Sequence, residues 1–93
     1  FVHQDQSDPI QLKMLGAPKA NTSAEAAAYS KNFATAIRTS LAVTSGAFSP
    51  NAGDHGIVFK AEFATRTLNN TSLRETFGAW YFERAGAKKA IQD

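Results

Sequence analysis

An apolar stripe at helical spacing is the feature that most restricts how this chain can fold. Its members recur every three or four residues and are Ala26, Tyr29, Phe33, Ile37 and Leu41. Residues 22–25, Thr-Ser-Ala-Glu, fit a capping box just upstream, in which a hydroxyl and a carboxylate satisfy the free amides of a starting helix. The pattern therefore predicts an amphipathic helix over residues 24–41.

Strand-like segments lie on both sides of this helix. Residues 1–4 are typical of the end of a strand, and the polar run at 5–9 closes it because Asp-Pro disfavours regular structure. Residues 10–15 predict a short turn or helix. The small and β-branched residues of 42–48 predict a short strand after the long helix.

The second half of the chain repeats the alternation. Residues 57–59 are apolar and fit either a strand or a buried turn. A second capping box at 72–75 predicts a final helix over residues 72–85, with Gly86 as its C-terminal stop. The aromatic residues of that helix are interpreted as packing residues, and they are Phe77, Trp80, Tyr81 and Phe82.

The resulting order is strand, loop, helix, strand, loop, helix, which predicts an α/β architecture with crossover helices. A chain of 93 residues forms one domain at most, with a marginal core. Because it begins on Phe1-Val2, inside an apparent structural element, we interpret residues 1–93 as a single partial domain of a larger protein.

Composition disfavours several classes of function. The ten basic and eight acidic residues are scattered and give a net charge of +2, with no polybasic run, which disfavours nucleic-acid binding. No apolar stretch approaches the roughly 20 residues that span a bilayer. The absence of cysteine excludes disulfides and thiolate zinc sites.

Asp8 and His55 each follow a predicted strand, and active sites of open α/β sheets gather at the carboxyl ends of strands. A buried aspartate there can orient an imidazole that takes a proton from a serine. The order in α/β hydrolases is serine, acid, histidine, so a C-terminal piece carries the last two. The sequence has no Gly-x-Ser-x-Gly elbow, so the serine is expected upstream. On spacing alone, two solvated loop residues are the commoner explanation.

Two other interpretations of these polar residues stay open. Asp5 is an alternative triad acid, or else caps the loop. A metal site would combine His3, Asp5, Asp8, Asp54 and His55, although their spacing matches no tight motif. By itself, His3 is expected to pack or to form hydrogen bonds within its strand.

Three pairs of segments carry a resemblance to a known family. They are FVHQ with DPIQL at 1–4 and 8–12, GAFSP with DHGIV at 46–50 and 54–58, and LNNTSL with WYFER at 68–73 and 80–84. In this order they resemble the C-terminal part of the pectin acetylesterase family, which includes the Notum-like carboxylesterases. Ala52 stands where that family usually has a cysteine in the histidine loop, and Ala79 stands where some members have one in the last helix, which points toward a bacterial relative.

The resemblance implies a fold, an activity and roles for two residues. The chain would be the C-terminal strand-helix-strand-helix portion of an α/β-hydrolase-type fold. Asp8 would be the triad acid and His55 the catalytic histidine of a serine carboxylesterase that deacetylates pectin or another polysaccharide. The serine would lie in the remainder of the hydrolase domain, no metal or organic cofactor would be needed, and the protein would be secreted or periplasmic.

The alternative is a small, non-catalytic α/β interaction module. Asp8 and His55 would then be ordinary loop residues, and the aromatic helix would bind a partner. An Asp8 carboxylate within hydrogen-bond reach of His55 favours the hydrolase, whereas a wide separation favours the module.

Overall fold

The computed structural model describes residues 1–19 and 23–93 and has a mixed α/β architecture around a small parallel sheet. The sheet order is β1-β2-β5, and β3 and β4 form a separate antiparallel pair. The elements in chain order are β1 (Val2–His3), α1 (Pro9–Met14), α2 (Ala24–Leu41), β2 (Ala47–Ser49), a 3₁₀ turn (Ile57–Phe59), α3 (Glu62–Thr65), β3 (Thr67–Leu68), β4 (Thr71–Ser72), α4 (Leu73–Tyr81) and β5 (Ala90–Gln92). The predicted α/β class is confirmed at this level.

The parallel pairing of β1 with β2 sets the position of the two loops that follow these strands. Val2 pairs with Ala47, and His3 pairs with Phe48. Main-chain hydrogen bonds continue this pairing beyond the strands, from the amides of Gln4, Gln6 and Ser7 to the carbonyls of Phe48, Pro50 and Ala52. Because parallel strands end at the same edge of a sheet, the segments after β1 and β2 lie side by side.

The long helix α2 has the predicted bounds. Ser23 is its N-cap, and the Ser23 hydroxyl accepts a hydrogen bond of 3.1 Å from the Ala26 amide. Thr22, which the capping box included, lies outside the described residues. The stripe buries Ala26 and Leu41, while its three larger central members stay partly exposed.

Helix α4 begins as predicted and ends a turn earlier. The Ser72 hydroxyl accepts from the Glu75 amide, and the Glu75 carboxylate accepts from the Ser72 amide at 2.8 Å, so the capping box is present. The predicted end near Gly86 is wrong because Glu83 adopts a φ of 51° just after Tyr81. The pattern is a Schellman motif, in which the residue after the cap is left-handed.

The core lies between the parallel sheet and the elements that follow β2. Its buried members are Phe48, Ile57, Leu68, Leu73 and Ile91. Among the aromatic residues of α4 and its C-terminal end, Phe77 packs edge to face against Phe1 at 5.4 Å between ring centroids, as predicted. Tyr81 and Phe82 are 64% and 66% exposed, so interpreting these two as packing residues is wrong. Trp80 does pack, against Gly46, where a Cβ atom would collide with the indole ring.

The structure also changes two expectations for the segments between α2 and α3. The strand predicted over residues 42–48 begins at Ala47, since the preceding residues form a turn in which the Thr44 hydroxyl donates to the Leu41 carbonyl at 2.8 Å. Residues 57–59 form a 3₁₀ turn and not a strand, and of its residues Ile57 is buried, whereas Val58 and Phe59 are exposed. No helix among the described residues has the length and apolar character needed to cross a bilayer.

Candidate functional site

Asp8 is fixed in place by the start of helix α1. Its Oδ1 accepts hydrogen bonds from the amides of Ile10 at 2.9 Å and Gln11 at 3.1 Å, and Pro9 occupies the first helical turn. The residue is only 4% exposed. One carboxylate oxygen is thus used for capping, and Oδ2 is held ready for another partner.

That partner is His55. Its ring Nδ1 lies 2.7 Å from Asp8 Oδ2, and the histidine side chain is 55% exposed, whereas the aspartate side chain is 5% exposed. The Asp54 carboxylate accepts from the His55 amide at 2.8 Å, and Gly56 takes a φ of 74°, a left-handed conformation that suits glycine. The loop therefore presents the imidazole to solvent with its Nδ1 side against a buried acid.

The ionisation state of Asp8 determines which nitrogen of the His55 imidazole carries the proton. Burial raises the pKa of the Asp8 carboxyl, but hydrogen bonds from His55, Gln11 and Ile10 outweigh burial, so its pKa lies below the usual value. An ionised carboxylate only accepts hydrogen bonds, so Nδ1 must carry the proton. In the neutral ring Nε2 is then a free base, and it has no hydrogen-bond partner among the described residues.

A second histidine–aspartate pair lies on the same sheet edge. His3 Nε2 is 3.0 Å from Asp5 Oδ1, and these side chains are 15% and 0% exposed. The contact does not meet hydrogen-bond geometry, and neither atom has another partner among the described residues. Burial lowers the pKa of His3 and outweighs the opposing charge of Asp5. The pair therefore joins a buried aspartate to a largely covered histidine that favours its neutral form.

Asp5, the alternative triad acid, contacts the chain next to His55 and not the imidazole. Its Oδ2 accepts from the Asp54 amide at 2.7 Å and from Arg66 Nη1 at 3.3 Å. Arg66 Nη2 also donates to Asp54 Oδ2 at 3.2 Å. The structure thus brings together Asp8 with His55 and places Asp5 behind them.

The two pairs line one small cavity of ≈ 160 Å³, together with the side chains of Gln4 and Gln11, which are joined by a hydrogen bond of 2.7 Å. The five residues considered for a metal site divide into these pairs and the contacts of Asp54. Within the part of the chain that the structure describes, no three histidine or carboxylate side chains converge as a metal site requires.

Arg66 is a site residue that sequence analysis missed. It follows α3, far along the chain from β1, and no motif or spacing marks it. A single arginine after a short helix has no periodic signal, so only its contacts with Asp5 and Asp54 identify its role.

Several serines of the described chain are committed to other contacts. The Ser72 hydroxyl caps α4, the Ser45 hydroxyl accepts from Trp80 Nε1, and Ser49 is completely buried. These serines are therefore not placed to act as nucleophiles with His55.

Comparison of the chain with protein-family models, with curated proteins and with solved structures finds no match. The pectin acetylesterase resemblance therefore stays a hypothesis.

Proposed function

We propose that this chain supplies the acid and the histidine of a Ser-His-Asp triad in a carboxylic-ester hydrolase. The observation that supports the proposal most is the 2.7 Å contact between His55 Nδ1 and Asp8 Oδ2. In this proposal the nucleophilic serine belongs to the remainder of the hydrolase domain, outside the present sequence. The chain by itself would then be inactive.

The difference in exposure between Asp8 and His55 supports a catalytic role over an ordinary loop contact. Solvated loop residues do not usually place a nearly buried carboxylate against a histidine that is 55% exposed. Here the acid is buried, ionised and held by two amides, while the base side of the ring is open. A triad needs a buried acid and an open ring, because the acid must orient the ring and the ring must reach the substrate.

The proposed reaction is acyl transfer through a covalent intermediate. His55 Nε2 removes the proton from the serine hydroxyl as its oxygen attacks the ester carbonyl, and returns the proton to the departing alcohol. Water then attacks the acyl-serine with the same histidine as base. Asp8 holds the tautomer and stabilises the imidazolium, while main-chain amides near the serine stabilise the oxyanion.

The substrate class rests on the family resemblance. Within the proposal the ester is an acetyl group on pectin or another polysaccharide, and the enzyme acts in a secreted or periplasmic setting. The geometry of Asp8 and His55 suits any carboxylic ester that the rest of the domain can bind.

The direct test joins this chain to the upstream part of the hydrolase domain that the proposal requires. The joined protein is expected to hydrolyse a chromogenic acetate ester, and His55→Ala is expected to abolish that activity. His3→Gln removes the other histidine as a matched control and is expected to cost far less. Full activity in His55→Ala would contradict the assignment of His55 as the catalytic histidine.

The interaction module remains the second candidate, because the rings at the end of α4 are exposed. Tyr81 and Phe82 are 64% and 66% exposed and stack edge to face at 5.0 Å between ring centroids. Exposed aromatic pairs of this kind are common in binding surfaces. If both His55→Ala and the parent protein lack esterase activity, while Tyr81→Ser with Phe82→Ser abolishes binding to a partner, the module is favoured.

A further inference from the structure

We propose that Asp5 is a positioning residue for His55 and acts through the main chain of Asp54. Asp5 and Asp8 belong to the same segment after β1, and they hold consecutive residues of the loop after β2. Asp5 accepts from the Asp54 amide, while Asp8 accepts from the His55 ring. The catalytic meaning of this arrangement rests on the proposed function; the geometric claim does not.

Asp5 holds Asp54 from a rigid, buried position. Its side chain is 0% exposed, and the hydrogen bond from the Asp54 amide measures 2.7 Å. Arg66 closes a ring by donating to Asp5 Oδ2 with one nitrogen and to Asp54 Oδ2 with the other, at 3.3 and 3.2 Å. Hydrogen bonds to charged groups are stronger than neutral ones, and burial strengthens them further.

His55 needs this support because its own contacts are few. Its side chain is 55% exposed and has one hydrogen bond, so the ring orientation depends on where the Asp54–His55 main chain lies. The Asp54 carboxylate adds a second restraint by accepting from the His55 amide at 2.8 Å. A displacement of about 1 Å in a catalytic group can cost on the order of 100-fold in rate.

A purely structural role for Asp5 predicts a different outcome. In that case Asp5 anchors only the chain around Arg66, and its loss lowers stability without changing the His55 ring. A positioning role instead links Asp5 to the tautomer of His55. The long-range ¹⁵N–¹H spectrum of the imidazole separates the two roles, because it reports which ring nitrogen carries the proton.

The experiment compares Asp5→Leu with Asp5→Asn in the full chain. Leucine removes the acceptor at similar size, so the His55 Nδ1–H form is expected to give way to the Nε2–H form. Asparagine keeps an acceptor for the Asp54 amide and is expected to retain the Nδ1–H form. Asp93→Asn is the matched control, since the exposed Asp93 carboxylate accepts from the Asn51 amide at 3.0 Å in the same loop.

Amide exchange of the unsubstituted chain keeps the test decisive if Asp5→Leu fails to fold. The Asp54 amide, bonded to a buried acid, is expected to exchange at least about tenfold more slowly than the Asn51 amide. Equal exchange rates overturn the inference, as does a folded Asp5→Leu chain with an unchanged His55 tautomer. A parent chain whose His55 lacks the Nδ1–H form contradicts the triad proposal itself, so the two failures are distinguishable.

Discussion

The two histidine–aspartate pairs at the sheet edge have the same chemistry and opposite exposure. His55 is 55% exposed against an aspartate held by amides, whereas His3 is 15% exposed against an aspartate held by Arg66. In one pair the imidazole is open to solvent, and in the other the fold covers most of it. The surroundings of the two pairs, and not their residue types, make His55 the candidate catalytic histidine.

The largest expected effect is on activity and comes from Asp8→Asn. The amide oxygen keeps the cap on α1, but its NH₂ group faces His55 Nδ1 and forces the wrong tautomer. In the complete hydrolase that we propose, kcat is expected to fall on the order of 10⁴-fold, measured on a chromogenic acetate ester. Asp93→Asn makes the same chemical change at an exposed carboxylate and should keep its activity. An active Asp8→Asn enzyme would remove the distinction between the pairs.

The next effect is on stability and comes from Arg66→Met. Methionine fills part of the space but leaves the buried Asp5 carboxylate without its cation. Because Arg66 is 24% exposed and screened by solvent, we expect the free energy of unfolding to fall by about 1–3 kcal/mol in urea titrations. No loss of stability would show that Asp5 does not depend on this charge.

The pH dependence of stability should separate the pairs. Both His3 and Asp8 have folded pKa values below the unfolded ones. For each group, the free energy of unfolding is therefore at its full value above the unfolded pKa and decreases as the pH falls toward the folded pKa. The loss begins below about pH 6.5 for His3 and below about 3.9 for Asp8.

Substitution of each residue should remove the pH dependence of stability in the range where that residue titrates. His3→Asn is expected to flatten the unfolding free energy between neutral and mildly acidic pH, and Asp8→Asn should flatten it only in strong acid. Urea titrations across this range measure both slopes. A His3→Asn chain with the parent slope would show that burial does not lower the pKa of His3.

The smallest effect is expected from Lys60→Ala. Lys60 Nζ lies 2.6 Å from Asp54 Oδ1, but the lysine side chain is 47% exposed and its charge is screened. We expect no measurable change in stability or in the tautomer of His55. A clear change in the histidine spectrum would mean that the exposed side of Asp54 also positions the ring.

Local patterns account for the parts of the fold that the sequence predicted. The apolar stripe and the hydroxyl cap act within neighbouring turns, so α2 and the start of α4 follow from nearby residues. The end of α4 did not follow, because the left-handed position is held by Glu83 where glycine is usual. The third strand, β5, was missed because its pairing partner, β2, is remote in sequence.

By itself, the sequence determined the α/β alternation and the placement of Asp8 and His55 after successive strands, since both depend on local spacing. Tertiary structure decided which acid meets which histidine, because the register of β1 on β2 sets Asp8 against the His55 ring and Asp5 against the Asp54 amide. It also decided which pair is open to solvent. The burial of a side chain depends on how segments remote in sequence pack together, so a local sequence pattern does not predict it.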